Sequence, residues 1–277
     1  MLRLLKRLFP ASLRGTLRER LNSVAVIDEC ELAREVFNWA GRRGTMFDVG
    51  AHRGHTCGPF AAEGWRVHAF EPDPENYQAL KASIAHMAHV VAHQVAVTEQ
   101  SAAALTLHRS STNSYIGSLS AFDSSHSEGV TVTAVSLTDF CDREGIERVD
   151  FLKVDAEGHD WFVLRGFPWS RIQPEVVLCE FEDRKTRPLG YTWEEMAEDL
   201  VGRGYTVLVS EWAPIVSYQG PFKWRRCVPY PSELLDQDAN GNLVAFRNTR
   251  WAGKFMKLAQ RKHRWIQLLS RMRRLAE

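Results

Sequence analysis

Three carboxylates stand where apolar runs end: Asp48 in TMFDVG, Glu71 in RVHAFEP and Asp155 in VDFLKVDAEG, with Glu157 in the turn beyond. Carboxylates in such places accept hydrogen bonds from ligand hydroxyls or take up a proton. Gly50 and Gly54 follow Asp48 in FDVGAHRGHT. Glycines at a strand-to-helix turn let the backbone approach a ligand that a Cβ would exclude. Glu71 comes about twenty residues after this turn, the spacing at which an acidic side chain accepts both ribose hydroxyls of a bound nucleoside. The turn G-A-H-R-G lacks the third glycine of the pattern that holds a pyrophosphate on backbone amides, so an NAD-dependent oxidoreductase is the weaker reading. S-adenosylmethionine carries no phosphate and needs only a close-packed glycine turn.

To meet one ligand, these carboxylates require parallel strands that end on the same side. From about residue 28, helical and strand patterns alternate as in βα units of a doubly wound sheet. Asp28 and Glu31 predict a capping box for a helix running towards Ala40, and TMFDVG reads as a buried strand with a helix starting near His55 or Thr56. RVHAFEP is the second strand, PENYQALKASIAHM a helix capped by Asp73, and HVVAHQVAV the third strand. Between residues 104 and 136, the strand-like runs ALTLHR and VTVTAVSL flank a Ser/Gly-rich loop placed to cover a ligand. VDFLKVDAEG, EVVLCEF, TVLVSEW and NLVAFRN complete seven core strands, with a helix at WEEMAEDLVGRG. In such a sheet the ligand crevice lies outside the carboxyl ends of the strands, where Asp48, Glu71 and Asp155 are expected to converge.

Charge is segregated beneath a formal net charge of +1. Residues 1–20 carry six Lys/Arg and one acid, residues 247–277 carry ten and one, and the remainder holds 19 Lys/Arg against 32 acids. An acidic body argues against a nucleic-acid partner, because phosphate binding needs Lys and Arg on the folded face. The five cysteines are odd in number, widely spaced and without a C-x-x-C pair. That pattern disfavours a disulfide framework or a zinc site and points to a reducing, cytoplasmic compartment. Lys6, Arg7 and Arg14 interrupt the apolar character of the N-terminus, which reads as a retained basic extension rather than a cleaved leader or a transmembrane span.

In this order and spacing, FDVGAHRGHT, VHAFEPDPENYQAL, VSLTDF and VDFLKVDAEGHDWFVLRGF resemble the FkbM-type methyltransferase family over roughly residues 45–182. The resemblance implies an α/β, Rossmann-like class I methyltransferase fold: a seven-stranded, mostly parallel sheet with helices on both faces and the last strand inserted antiparallel. It implies S-adenosylmethionine as methyl donor, with Asp48, Gly50 and Gly54 around the methionine moiety and Glu71 on the ribose. It also implies an acceptor hydroxyl on a sugar, a glycan or a related small molecule. The chain then divides into a basic extension over 1–27, a methyltransferase domain over 28–248 and a basic amphipathic helix over 249–277. Three positions depart from the family pattern: His52 stands where Asn is usual, and His159-Asp160 replace a small residue and Glu.

Methylating a hydroxyl requires in-line alignment and a proton acceptor. Asp155 and Glu157 are the expected catalytic residues, while His159 reads as an exposed residue at a helix start. Asp155, Glu157 and Glu180 could alternatively gather a divalent cation; the expectation is that no metal is used. A further alternative is a nucleoside-binding module without turnover, held at a membrane by its basic ends. Tyr218, Phe222, Trp224 and Tyr230, beside Lys223, Arg225 and Arg226, either stack on sugar faces or pack onto the domain. The C-terminal segment places Trp251, Phe255, Leu258, Trp265 and Leu268 at helical spacing among Lys and Arg. Its apolar stripe, like the Leu-rich N-terminus, either lies peripherally on the anionic inner face of a membrane or packs on the acidic body or a second subunit.

Overall fold

The computed structural model describes residues 27–110, 117–121, 126–216 and 222–274. Apart from Ile27, the basic extension therefore lies outside the described residues, as does Tyr218. Helix α1 (Glu29–Trp39) begins where the Asp28 side chain accepts the Glu31 amide at 3.0 Å, satisfying one of the donors a helix start leaves unpaired. Strand β1 (Thr45–Val49), α2 (Cys57–Ala62), β2 (Arg66–Phe70), α3 (Pro74–Ile84) and β3 (Val90–His93) follow. Asp73 caps α3 by accepting the Glu75 and Asn76 amides, each at 2.9 Å.

Strands β4 (Ala96–Val97), β5 (Ala102–Ser110) and β6 (His126–Val135) form a separate three-stranded sheet in the order β4-β6-β5. The run HVVAHQVAV, expected as one strand, is thus divided between the two sheets. The chain continues through α4 (Leu137–Glu144), β7 (Phe151–Val154), α5 (Asp160–Arg165), β8 (Val176–Glu182), α6 (Asp183–Thr186), α7 (Trp193–Gly202) and β9 (Thr206–Trp212). It ends with β10 (Trp224–Pro229), β11 (Asn240–Phe246) and α8 (Thr249–Arg274).

The main sheet runs β10-β9-β11-β8-β7-β1-β2-β3. Pairing is parallel from β3 through β8, and β11 is antiparallel to both β8 and β9, as expected for the last strand. All seven expected strands are present, and β10 adds an eighth at the edge inside a stretch read as loop. Its ladder with β9 was hidden in the sequence by Lys223, Arg225 and Arg226, charges that an edge strand tolerates.

Successive side chains of a strand point to opposite faces. Accordingly Met46 and Phe151 enter the core on one side with Phe37, Trp65 and Phe255, while their neighbours Phe47 and Leu152 enter the other with Phe140, Met196 and Leu200. A sheet covered on both faces explains the near-continuous apolar runs. The first half of α8 belongs to this core. Trp251, Ala252, Phe255 and Ala259 are buried, and the Trp251 ring lies 5.4 Å from Phe37. Farther along the helix, Trp265 is 51% and Leu268 48% exposed. Among the described residues, no helix is long and apolar enough to cross a membrane.

Candidate active site

Parallel strands β1, β2 and β7 are neighbours, so the turns after them open on a common side of the sheet, at a cavity of about 390 Å³. Gly50, Glu71, Asp155 and Glu157 line it, four of the six residues expected there. Asp48 and Gly54 do not. A Cβ on Gly54 would lie 2.9 Å from both Leu80 Cδ1 and Ser83 Oγ, so this glycine serves the packing of the turn on α3. At Gly50, with φ +73°, a Cβ would fall 1.9 Å from the Asp155 carbonyl oxygen. The turns after β1 and β7 approach each other only because that atom is missing.

Asp48 is wholly buried beneath the turn, with Lys153 Nζ 3.1 Å from its Oδ1. Lys153 also donates to the carbonyls of Val49 at 3.2 Å and Gly50 at 2.9 Å, and it lies 3.5 Å from Asp155 Oδ2. Burial alone would lower the pKa of this amine, but Asp48 and Asp155 more than reverse that and raise it. One ammonium therefore fastens the ends of β1 and β7 together. Its sequence signal was a lysine inside the apolar run FLKV, which must find a buried partner. Lys153→Met is expected to destabilise the protein by about 3–5 kcal/mol, because it leaves Asp48 buried without a counter-charge. Urea denaturation measures this, and a loss below about 1 kcal/mol would show that the pair does not hold the turn.

Glu71 is 5% exposed, and its carboxylate accepts the His52 amide at 2.8 Å through Oε2 and the Asp73 amide at 2.9 Å through Oε1. These two donors fix its plane and leave a lone pair on each oxygen for ligand hydroxyls. Burial pushes its pKa up to about 7 against the pull of those amides. His52 and Glu157 hold φ values of 49° and 50°, in the left-handed region that side chains other than glycine seldom occupy. Both line the cavity, and strain of this kind persists where the surroundings enforce a functional geometry. His52, a departure from the family pattern, thus keeps the backbone donor that Glu71 needs. His159 also lines the cavity and is half-buried, which corrects the expectation of an exposed residue. Burial lowers its pKa to about 4.

The inserted sheet closes the cavity from above. Arg109 on β5 meets Asp73 Oδ2 at 2.7 Å and Glu75 Oε2 at 2.9 Å, and Ser118 Oγ donates to the Glu157 carbonyl at 2.8 Å. The Ser/Gly-rich run thus covers the cavity at its described residues 117–119. Glu157 Oε2 lies 2.6 Å from Lys185 Nζ, a residue the sequence reading did not single out. Burial raises the Glu157 carboxyl above the usual range, with Lys185 opposing. Of the aromatic stretch, Phe222, Trp224 and Tyr230 do not line the cavity. Trp224 Nε1 donates to Ser210 Oγ at 2.8 Å, and the Tyr230 ring packs 5.8 Å from Trp193. For these two aromatics, packing on the domain is the arrangement found.

The cavity suits S-adenosylmethionine. Phe70, Pro72, Val95, Val97 and Leu107 offer an apolar wall to a base, Glu71 faces the cavity with acceptors for hydroxyls, and Asp155 and Glu157 complement a positive sulfonium. A Rossmann-like sheet with its strand ends around such a cavity is the arrangement of a class I S-adenosylmethionine-dependent methyltransferase. The chain belongs to the FkbM methyltransferase family: the model of the methyltransferase FkbM domain matches residues 48–207, more than half of the chain. No curated protein matches the sequence.

Among solved structures, a putative caffeoyl-CoA O-methyltransferase from Staphylococcus aureus is similar at TM-score 0.42 and 10% identity, covering 88% of this chain and 96% of that one. Precorrin-6y C5,15-methyltransferase from Geobacter metallireducens GS-15 gives 0.39 and 11%, covering 78% and 87%. Magnesium protoporphyrin IX methyltransferase from Synechocystis PCC 6803, with bound SAM, gives 0.41 and 9%, covering 85% and 82%.

Proposed function

We propose that this methyltransferase acts on a hydroxyl of a sugar, a glycan or a related small molecule. The observation that carries the proposal is the pair of carboxylates, Asp155 and Glu157, on the cavity that Glu71 also lines. A hydroxyl must lose its proton as it is methylated, and a buried carboxyl raised towards neutrality is suited to accept it. Carboxylate oxygens also accept hydrogen bonds from neighbouring hydroxyls of a polyhydroxylated acceptor, whereas they repel a phosphate backbone. Arg109, a cation on the cavity wall, is already paired to Asp73 and Glu75.

When bound, S-adenosylmethionine supplies the methyl group and the sulfonium charge that makes it labile. Glu71 holds the ribose hydroxyls, and Gly50 admits the methionine portion while Asp48 and Gly54 keep its turn in place. Asp155 faces the positive charge. Glu157 orients the acceptor hydroxyl and takes its proton. A screen with isotopically labelled methyl donor against free sugars, nucleotide sugars and lipid-linked glycans tests this: label is expected in at least one of these classes. Label found only in amine or thiol acceptors would refute the hydroxyl reading.

The exposed end of α8 supports a peripheral contact with the cytoplasmic face of a membrane. Leu258, Trp265 and Leu268 flank a groove with Arg261, Arg264, Glu35 and Lys262, the last paired to Glu31; the two arginines beside apolar side chains favour anionic lipid surfaces. Full-length protein is expected to pellet with anionic vesicles but not neutral ones, and less so at high salt. Removal of residues 264–277 is expected to abolish pelleting with little change in melting temperature, since among the described residues the buried positions of α8 end at Ala259 and Ile266 packs against the core only in part. Equal, negligible recovery with both vesicle types would exclude the contact.

A further inference from the structure

At the ends of β7 and β8, Asp155, Glu157 and Glu180 each bring one oxygen within 4.8 Å of the other two. Hard oxygen ligands gather a divalent cation by such convergence. Here an ammonium is already in place. Lys185 Nζ lies 2.6 Å from Glu157 Oε2, 2.9 Å from Glu182 Oε2 and 3.4 Å from Glu180 Oε2, and its side chain is 1% exposed. The turn after Glu157 is shaped around it. A Cβ on Gly158, whose φ is +89°, would come 3.1 Å from Lys185 Cβ. Tyr191 draws the same turn inward by donating to the Gly158 carbonyl at 2.6 Å. Other cations occupy the flanking acids: Arg184 meets Glu182 Oε1 at 2.9 Å, and Lys153 lies 3.5 Å from Asp155.

We propose that Lys185 is the resident cation of this active site, holding Glu157 and Glu180, two of the three carboxylates that could gather a divalent ion, and positioning Glu157 as proton acceptor. The catalytic half of this proposal rests on the hydroxyl reading above; the cation half does not. As the acceptor O–CH3 bond forms and the S–CH3 bond breaks, the electron pair stays on sulfur and the hydroxyl proton passes to Glu157. Lys185 keeps its own protons. An ammonium has no open coordination position for the acceptor oxygen, so it orients Glu157 and opposes the effect of burial on its carboxyl without activating the hydroxyl itself, as a metal would.

The test is a Mn²⁺ titration of metal-stripped full-length protein, followed by electron paramagnetic resonance. Wild type is expected to show no saturable binding. Lys185→Met is expected to bind one Mn²⁺ per chain at least about tenfold tighter than wild type, a gain lost again in Lys185→Met/Glu180→Gln. Donor affinity, titrated in parallel, certifies folding, and Lys185→Gln takes the same role if the Met variant binds no donor. Lys185→Arg, which keeps the charge, is expected to retain more turnover than Lys185→Met. Stoichiometric Mn²⁺ binding by wild type, or folded Lys185→Met and Lys185→Gln variants that bind none, would overturn the proposal. Failure of every hydroxyl acceptor with the expected Mn²⁺ results would instead sink the hydroxyl reading alone.

Discussion

Glu157→Gln is expected to lower turnover on a hydroxyl acceptor by about 10²- to 10⁴-fold, the usual contribution of a positioned general base, while donor affinity changes by less than about threefold. The amide keeps the size of the side chain and its place in the strained turn but cannot take up the proton. Glu157 is favoured over Asp155 on three structural grounds: its side chain is 16% exposed against 43%, one of its oxygens is fixed by Lys185, and its pKa is raised by burial. Asp155→Asn is expected to weaken donor binding more than it lowers turnover at saturation, as a group facing the sulfonium would. Turnover and donor affinity measured on both variants separate the roles. A Glu157→Gln enzyme with wild-type turnover would transfer the base to another group.

Glu71→Ala is expected to weaken S-adenosylmethionine binding by about 10- to 150-fold, the range for losing a hydrogen bond to a charged group. Isothermal titration measures it, and unchanged affinity in a folded variant would remove Glu71 from the ribose. The raised pKa adds a pH signature. Because the folded state holds the Glu71 proton up to about 7 whereas an unfolded chain releases it near the ordinary carboxyl value, its contribution to stability is complete at low pH. That contribution is lost as pH rises through 7. Donor affinity runs the other way, since two ribose hydroxyls need an ionised acceptor. Affinity is therefore expected to rise across neutrality in wild type and to lose that rise in Glu71→Gln.

The parallel half of the fold was legible because its strands are buried on both faces and bounded by recognisable caps. Asp28, Asp73 and the turn glycines marked where elements begin and end. Convergence of Glu71 and Asp155 followed from their places at strand ends. Asp48 was misplaced because a strand-end acid gives no sign of whether it faces ligand or a lysine three strand positions into a neighbouring strand. Lys153 and Lys185 each reach one partner distant in sequence, Asp48 and Glu157, and local pattern does not display such pairings. β10 was missed for a related reason: an edge strand with charged residues lacks the apolar alternation by which strands are read. The amphipathic stripe of α8 has a buried part and an exposed part that periodicity alone does not divide.

The most direct test of a hydroxyl-directed methyltransferase is to locate the transferred carbon. Full-length enzyme would be incubated with donor labelled with ¹³C in its methyl group and with the sugar, nucleotide-sugar and glycan acceptors, and the product read by two-dimensional NMR. A methoxy correlation to a sugar ring carbon is expected, abolished in Glu157→Gln and weakened in Glu71→Ala at limiting donor. Label appearing as N-methyl or S-methyl, or no label in any acceptor although wild type binds the donor, would contradict it.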